Sequence, residues 1–226
     1  MIALDHIVIA AATLEEGAAW AANTLGVRTQ CGGKHVRMGT HNRLLNLGGG
    51  TYLEIIAIDP EGEQPGQPRW FALDSSAMQV RLAQGPALIH WVARTDDIER
   101  DAVQSPLPLG TIHPMERGDL RWRITIPADG HLPGDGLVPT LIQWDVDDHP
   151  AKRLPDSECR LIFLRGWHPR YDSLHLADGI WRIPPCVEIG PLESGSNPVL
   201  EMAIAAPSGL KIVAGGPGTG AHYRDS

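Results

Sequence analysis

The sequence predicts an α+β protein built from a repeated unit of one strand, one helix and three further strands, a βαβββ module. Three observations lead there. The first is the order of elements between residues 2 and 60, and the second is a similar, βαβββ-like order that begins again between 87 and 146. The third is an internal match: laying "LDHIVIA" over "LIHWVA" brings His6 onto His90. Each histidine stands third in its run, on the same pleat face as its apolar neighbours at i±2.

Each element has a local reason. "LDHIVIA" is short and β-branched, as buried strands are. Thr13 stands as a helix N-cap ahead of Glu15 and Glu16, and the helix Leu14 to Leu25 stops at Gly26, a suitable C-cap. "HVRMGT", "NRLLNLG" and "TYLEIIAID" follow as strands divided by turn signals, among them Gly48-Gly49-Gly50. "DPEGEQPGQPR" has linker composition and residues 70–83 read as helical, so 61–86 is a linker and helix. In the second module "ALIHWVART" is a strand and "DDIERDAV" a short helix, with "DLRWRITIP" and "TLIQWDV" as strands. A weaker third copy spans 159–214, with "CRLIFLRGW" as its strand, "RYDSLHLADGIW" as its helix and three more strands; 215–226 reads as a disordered tail.

Composition narrows the class. The chain has 226 residues, 42% hydrophobic and 20% charged, which suits one large globular domain or two small ones. A formal net charge of -8 with no Lys/Arg block argues against a nucleic-acid partner. Cys31, Cys159 and Cys186 are odd in number and form no CxxC pair, which suits a reducing cytosol. No run reaches the roughly 18 apolar residues of a membrane span. The first residues lack the basic start of a secretory leader. The expectation is a cytoplasmic monomer or homodimer with a small-molecule partner and no membrane partner.

Glu54 raises the chemical question, because it sits among Leu53, Ile55 and Ile56, where an unpaired carboxylate is costly. Laying "YLEII" over "LIQWD" sets Gln143 on Glu54. Each module then contributes a histidine from its first strand and a carboxylate or amide from its last. His6, Glu54, His90 and Gln143 make a donor set that suits a divalent zinc, nickel, cobalt, manganese or iron ion. The same histidines read equally as satisfied core residues with no metal.

This pattern resembles the vicinal oxygen chelate superfamily, and more narrowly its uncharacterised glyoxalase-like domain family. The resemblance rests on "LDHIVIA", "GGKHVRMGTHNRLLNLGGGTYLEIIAI", "LRWRITIP" and "PTLIQWD", and covers residues 2 to 146 and onward toward 214. It implies paired βαβββ modules whose curved mixed sheets enclose a cavity, as in glyoxalases and dihydroxybiphenyl dioxygenases. It also implies that strands one and four of a module are neighbours, placing His6 beside Glu54 and His90 beside Gln143. Glutamine departs from the carboxylate that many superfamily metal sites carry there. Asp145, two residues on, and Glu201 in "VLEMAI" are the competing fourth ligands.

Two functions follow. One is a metal-dependent lyase, isomerase or dioxygenase for a small oxygenated organic substrate, with His35 and Glu54 as catalytic residues. His35, Asn42, Tyr52, Arg121 and Trp122 are then the substrate-binding residues, Arg121 for an anionic group. The other is a metal-free binding or sequestering protein of the same fold, its cavity walled by tryptophans such as Trp91, Trp122 and Trp144. The Gly- and Pro-rich loop from Asp129 to Val138, with His131, reads as a surface loop or a lid.

Overall fold

The computed structural model describes residues 2–225 other than 147, 177–180, 182, 217 and 218. The first module is β1 (Ala3–Ala10), α1 (Leu14–Leu25), β2 (Gln30–His35), β3 (Thr40–Asn46) and β4 (Tyr52–Ile58). Thr13 caps α1 by accepting the Glu16 N–H, and Gly26 ends it in the left-handed conformation. A tight turn at Trp70–Ala72 and α2 (Ser76–Leu82) occupy the linker in place of one continuous helix. The second module is β5 (Ala87–Arg94), α3 (Ile98–Val103), β6 (Thr111–Arg117), β7 (Leu120–Ile126) and β8 (Thr140–Trp144).

These eight strands form one sheet in the order β2-β3-β4-β1-β5-β8-β7-β6. Within each module the first and last strands pair in parallel, and the modules join where β1 meets β5 antiparallel. The edge strands β2 and β6 come together without a ladder, so the sheet curls into an open barrel with a seam.

Strand alternation assigns the two faces. Ile7, Ile9, Leu53, Ile55, Leu88 and Trp91 point to the convex side and pack with α1. Val8, Ala10, Ile56, Trp122, Ile124 and Ile142 point to the concave side, where Trp70 and Phe71 join them.

The rest of the chain forms a second sheet from β9 (Arg160–His168), β10 (Val187–Pro191), β11 (Val199–Ala206), β12 (Gly209–Gly216) and β13 (Thr219–Asp225), ordered β10-β9-β11-β12-β13. Its Leu164, Met202, Ile204 and Val213 cover the convex face. This segment does not repeat the module: its first strand lies beside its second rather than its last, and a single turn at Tyr171–Leu174 stands where a helix was expected. The remainder of that expected helix falls largely outside the described residues. The tail read as disordered contains β13, whose backbone pairs with the open edge of β12. Among the described residues no helix is long and apolar enough to cross a membrane.

The turn carrying Trp70 and Phe71 is held under strain. Phe71 (φ 58°) and Ala72 (φ 55°) both adopt the left-handed conformation that side chains disfavour. Arg69 anchors the turn through Asp74, Gln64 and the Gly39 carbonyl, and the Ala72 N–H donates to the Gly130 carbonyl at 2.7 Å. Gly130 has φ 70°, and a Cβ there would lie 2.1 Å from the Arg69 oxygen. Gly130→Ala should therefore cost about 2 kcal/mol or more in urea unfolding; an unchanged midpoint would refute this account of the turn.

Candidate active site

The site starts from an irregularity in β1. Leu4 pairs with Ala93 and His6 with Val92, so Asp5 is an unmatched bulge residue. In a regular strand Asp5 and His6 would point to opposite faces; a bulge re-aims the side chain. Asp5 Oδ1 thus lies 2.7 Å from His6 Nδ1. Asp5 Oδ2 accepts from the Trp144 indole at 3.0 Å and faces His149 Nε2 at 2.8 Å. Because His149 Nδ1 accepts the Ala151 N–H, its Nε2 is the donor to Asp5.

On its other side His6 Nε2 lies 3.5 Å from Glu54 Oε2, and its ring stacks on Tyr52 with centroids 4.7 Å apart. Glu54 Oε1 accepts from Asn42 Nδ2 at 2.5 Å. Asn42 Oδ1 in turn accepts from the Gly33 N–H and from Arg117 Nη1. A Cβ at Gly32 would fall 1.9 Å from Asn42 Oδ1, so the glycine gives that amide its space. His35 Nε2 receives Arg117 Nη1 at 3.3 Å and Asn42 Nδ2 at 3.4 Å. With both donors on Nε2, the ring proton sits on Nδ1, toward Thr40 Oγ1 at 3.1 Å.

The charges follow from this geometry. Burial alone would raise the Asp5 carboxyl, but the hydrogen bonds from His149 and His6 outweigh it and hold Asp5 far below the ordinary range. Burial would strip the proton from His6, yet its hydrogen bonds to Asp5 and Glu54 raise it from 6.5 to about 9. Burial likewise opposes ionisation of Glu54, and the hydrogen bond and charge of His6 lower it to about 2. His35 is neutral: burial pushes it to about 4, with Arg117 and His6 adding to the shift against Glu54's opposing pull. The buried row is therefore carboxylate, imidazolium, carboxylate.

His6, His35, Asn42, Tyr52, Glu54 and Trp122 line one small cavity of about 30 Å³, room for little more than a water molecule. Trp70, Phe71, Arg117 and Trp144 complete its walls with Ile124 and Ile142. The Trp70 indole N–H is buried and has no hydrogen-bond partner among the described residues, leaving a free donor on a lining residue.

Three sequence-derived positions are corrected. Gln143 lies on the other face of β8, where its side-chain oxygen accepts the Ile98 N–H and caps α3. Val8 stands opposite Glu54 and Val92 opposite Thr140, so the true counterpart of Glu54 is Thr140 rather than Gln143. His90 is fully buried and both of its ring nitrogens are engaged: Nδ1 donates to the Gly136 carbonyl at 3.0 Å, and Nε2 accepts the Thr140 N–H at 3.1 Å. Burial drives His90 to about 3, which keeps it neutral. Arg121 points outward to the Gly118 and Leu120 carbonyls and Glu116, because Trp122 takes the inward pleat position.

The competing ligands are elsewhere too. Asp145 lies 3.5 Å from Arg123, and Glu201 belongs to the second sheet. His131 is exposed against Asp129 and does not line the cavity. Asp5, Arg117, Trp70 and Phe71 are site residues that sequence reasoning does not reach. The Trp-Phe pair at the linker's end is a usable signal, whereas the Asp5 bulge and the reach of Arg117 leave none.

The four-residue metal set therefore does not fit. His90 has no free lone pair and Gln143 faces away, and among the described residues no three His, Cys, Asp or Glu side chains converge as ligands.

A family model described as a glyoxalase-like domain matches residues 4–177. The chain belongs to the glyoxalase-like domain family. The paired modules and curled sheet are the fold that the resemblance implies. A hypothetical protein from Staphylococcus aureus is similar over 99% of this chain and 88% of its own, at 15% identity and a TM-score of 0.55. A methylmalonyl-CoA epimerase from Mycobacterium tuberculosis is similar over 62% of this chain and 85% of its own, at 18% identity and a TM-score of 0.37. Another, in complex with methylmalonyl-CoA and NH4+, covers 66% of this chain and 99% of its own, at 21% identity and a TM-score of 0.44. A search of curated proteins finds no match.

Two measurements check the site. His6 keeps its proton to about pH 9 in the fold but only to about 6.5 when unfolded, so its stabilisation is complete below 6.5 and is lost as pH rises through 9. Urea stability should fall by about 1–3 kcal/mol between those values, and His6→Gln should flatten most of that slope. A slope that His6→Gln leaves intact counts against the imidazolium. Secondly, elemental analysis after dialysis against each of the five candidate ions should show no uptake that depends on His90 or Gln143. Stoichiometric metal lost in both His90→Ala and Gln143→Ala would restore the four-residue metal set.

Proposed function

We propose that the protein is an enzyme that moves a proton on a carbon beside a carbonyl group, an isomerase or lyase step on a small oxygenated organic acid. One observation carries this reading: an ionised Glu54 carboxylate buried on the wall of a small cavity, between a His6 imidazolium and a neutral His35. Perturbed titratable groups gathered in one cleft are what acid–base chemistry needs.

Glu54 Oε2 takes the proton from the carbon, and the bonding electrons pass to the carbonyl oxygen. That oxygen accepts a hydrogen bond from His6 Nε2, with the Trp70 indole as a second donor. The proton then returns to carbon from Glu54; His35, neutral with its ring proton toward Thr40, serves the site as a hydrogen-bond acceptor and not as the proton donor. A substrate oxygen that occupies His6 Nε2 also relieves Glu54 of the contact that suppresses its basicity. Arg117, rather than Arg121, supplies positive charge at the cavity wall.

The oxygenase variety loses support, because the facial set of two histidines and one carboxylate would need His90. Both modules lie in one chain, so the site needs no second copy. The three free cysteines suit action in the cytoplasm. A second reading, sequestration without reaction, is favoured by the aromatic wall of Tyr52, Trp70, Phe71, Trp122 and Trp144.

The test is proton exchange in D2O, followed by NMR on a panel of 2-oxo and 3-oxo acids and their thioesters. A substrate should gain deuterium at the carbon beside its carbonyl, and Glu54→Gln should lower that rate by about 10²-fold or more. Turnover without exchange, or a Glu54→Gln variant at full rate, would sink the proposal. A ligand that binds and is recovered unexchanged points to sequestration.

A further inference from the structure

The seam between the two edge strands is stitched by side chains alone. Arg37 crosses it to the Pro114 carbonyl at 3.4 Å and to His113 Nδ1 at 2.9 Å. Arg117 crosses it to His35 and Asn42. These partners are all neutral, and neither arginine meets a carboxylate among the described residues. On a chain whose formal charge is -8, two guanidinium groups without counter-ions at one opening are an anion receptor.

Above the seam lies a groove of about 740 Å³, within the size range of small-molecule sites. Arg37 and Arg117 supply its uncompensated positive charge; Lys34 also lines it but is held by Asp59 at 2.9 Å and Glu61 at 3.0 Å. Among the described residues its only acid is Glu116, which is taken up by Arg121 at 3.3 Å. Val36, 75% exposed on the turn after β2, and Met115 add an apolar wall. Arg117 lines both this groove and the small cavity.

We propose that the seam groove binds the anionic tail of the substrate, an organic phosphate or carboxylate on a short apolar arm, and that Arg117 leaves His35 and Asn42 to meet it. This rests on reading the cavity beneath as the reacting site. The arm lies along Val36 and Met115, and the departure of Arg117 opens the way from groove to cavity. With Arg117 on its internal partners the cavity, at about 30 Å³, is too small for an organic substrate.

The test titrates the full chain with hexyl phosphate and with hexanoate, reading the arginine Nε–H and tryptophan indole signals by NMR. Saturable shifts are expected for at least one, and the tighter of the two identifies the head group. Combined Arg37→Ala and Arg121→Ala should weaken binding at least tenfold, and Val36→Ser severalfold. Hexanol binding as well as the anions would overturn the charge argument, and inorganic phosphate binding as well as hexyl phosphate would mean an adventitious ion only. Affinity unchanged in the arginine variant would overturn the site. Hexyl phosphate binding is read without turnover, so a failure of proton exchange leaves the groove standing, and a failure of binding leaves the exchange assay of the cavity standing.

Discussion

The alternation of charge along Asp5, His6 and Glu54 is the interaction on which the rest of the site depends. Two carboxylates are buried in the same few ångströms, and one imidazolium between them makes that tolerable. Each carboxylate has a further donor: Trp144 and His149 for Asp5, Asn42 for Glu54. Those donors come from both modules and from the turn beyond β8, so satisfying the charges also fixes how the modules meet. Breaking such a row at one member leaves an uncompensated buried charge.

The two modules share a scaffold and have divided its use. In the first, the strand pair β1–β4 carries His6 and Glu54 into a cavity. In the second, the matching pair β5–β8 carries His90 and Thr140, closed on each other and on the Gly136 carbonyl. The second module contributes instead the aromatic wall, through Trp122 and Trp144, and the cation at the seam, Arg117. Among the described residues the second sheet supplies no lining side chain to the cavity; it covers the convex face, which the open barrel would otherwise expose.

The sequence by itself determined most of the strand and helix order, because pleat periodicity, the Thr13 cap and glycine punctuation are local effects; it missed β6 (Thr111–Arg117), a mostly polar edge strand, and set at "HVRMGT" the strand that the structure places at Gln30–His35, ahead of a turn. It also marked Glu54 as a residue with a special environment, since a carboxylate in so apolar a strand needs a partner. His35, Asn42, Tyr52 and Trp122 stood out through the glyoxalase-like stretches and all reach one cavity. Tertiary structure alone decided the partners. Register between β5 and β8 put Thr140 and not Gln143 in Glu54's place, and no overlay of short strings reports a register slip. A bulge, which is set by pairing with another strand, turned Asp5 toward His6. The seam between β2 and β6 brought Arg117 to His35 across 82 positions of chain. These are long-range contacts, and their energies do not appear in any local window of sequence.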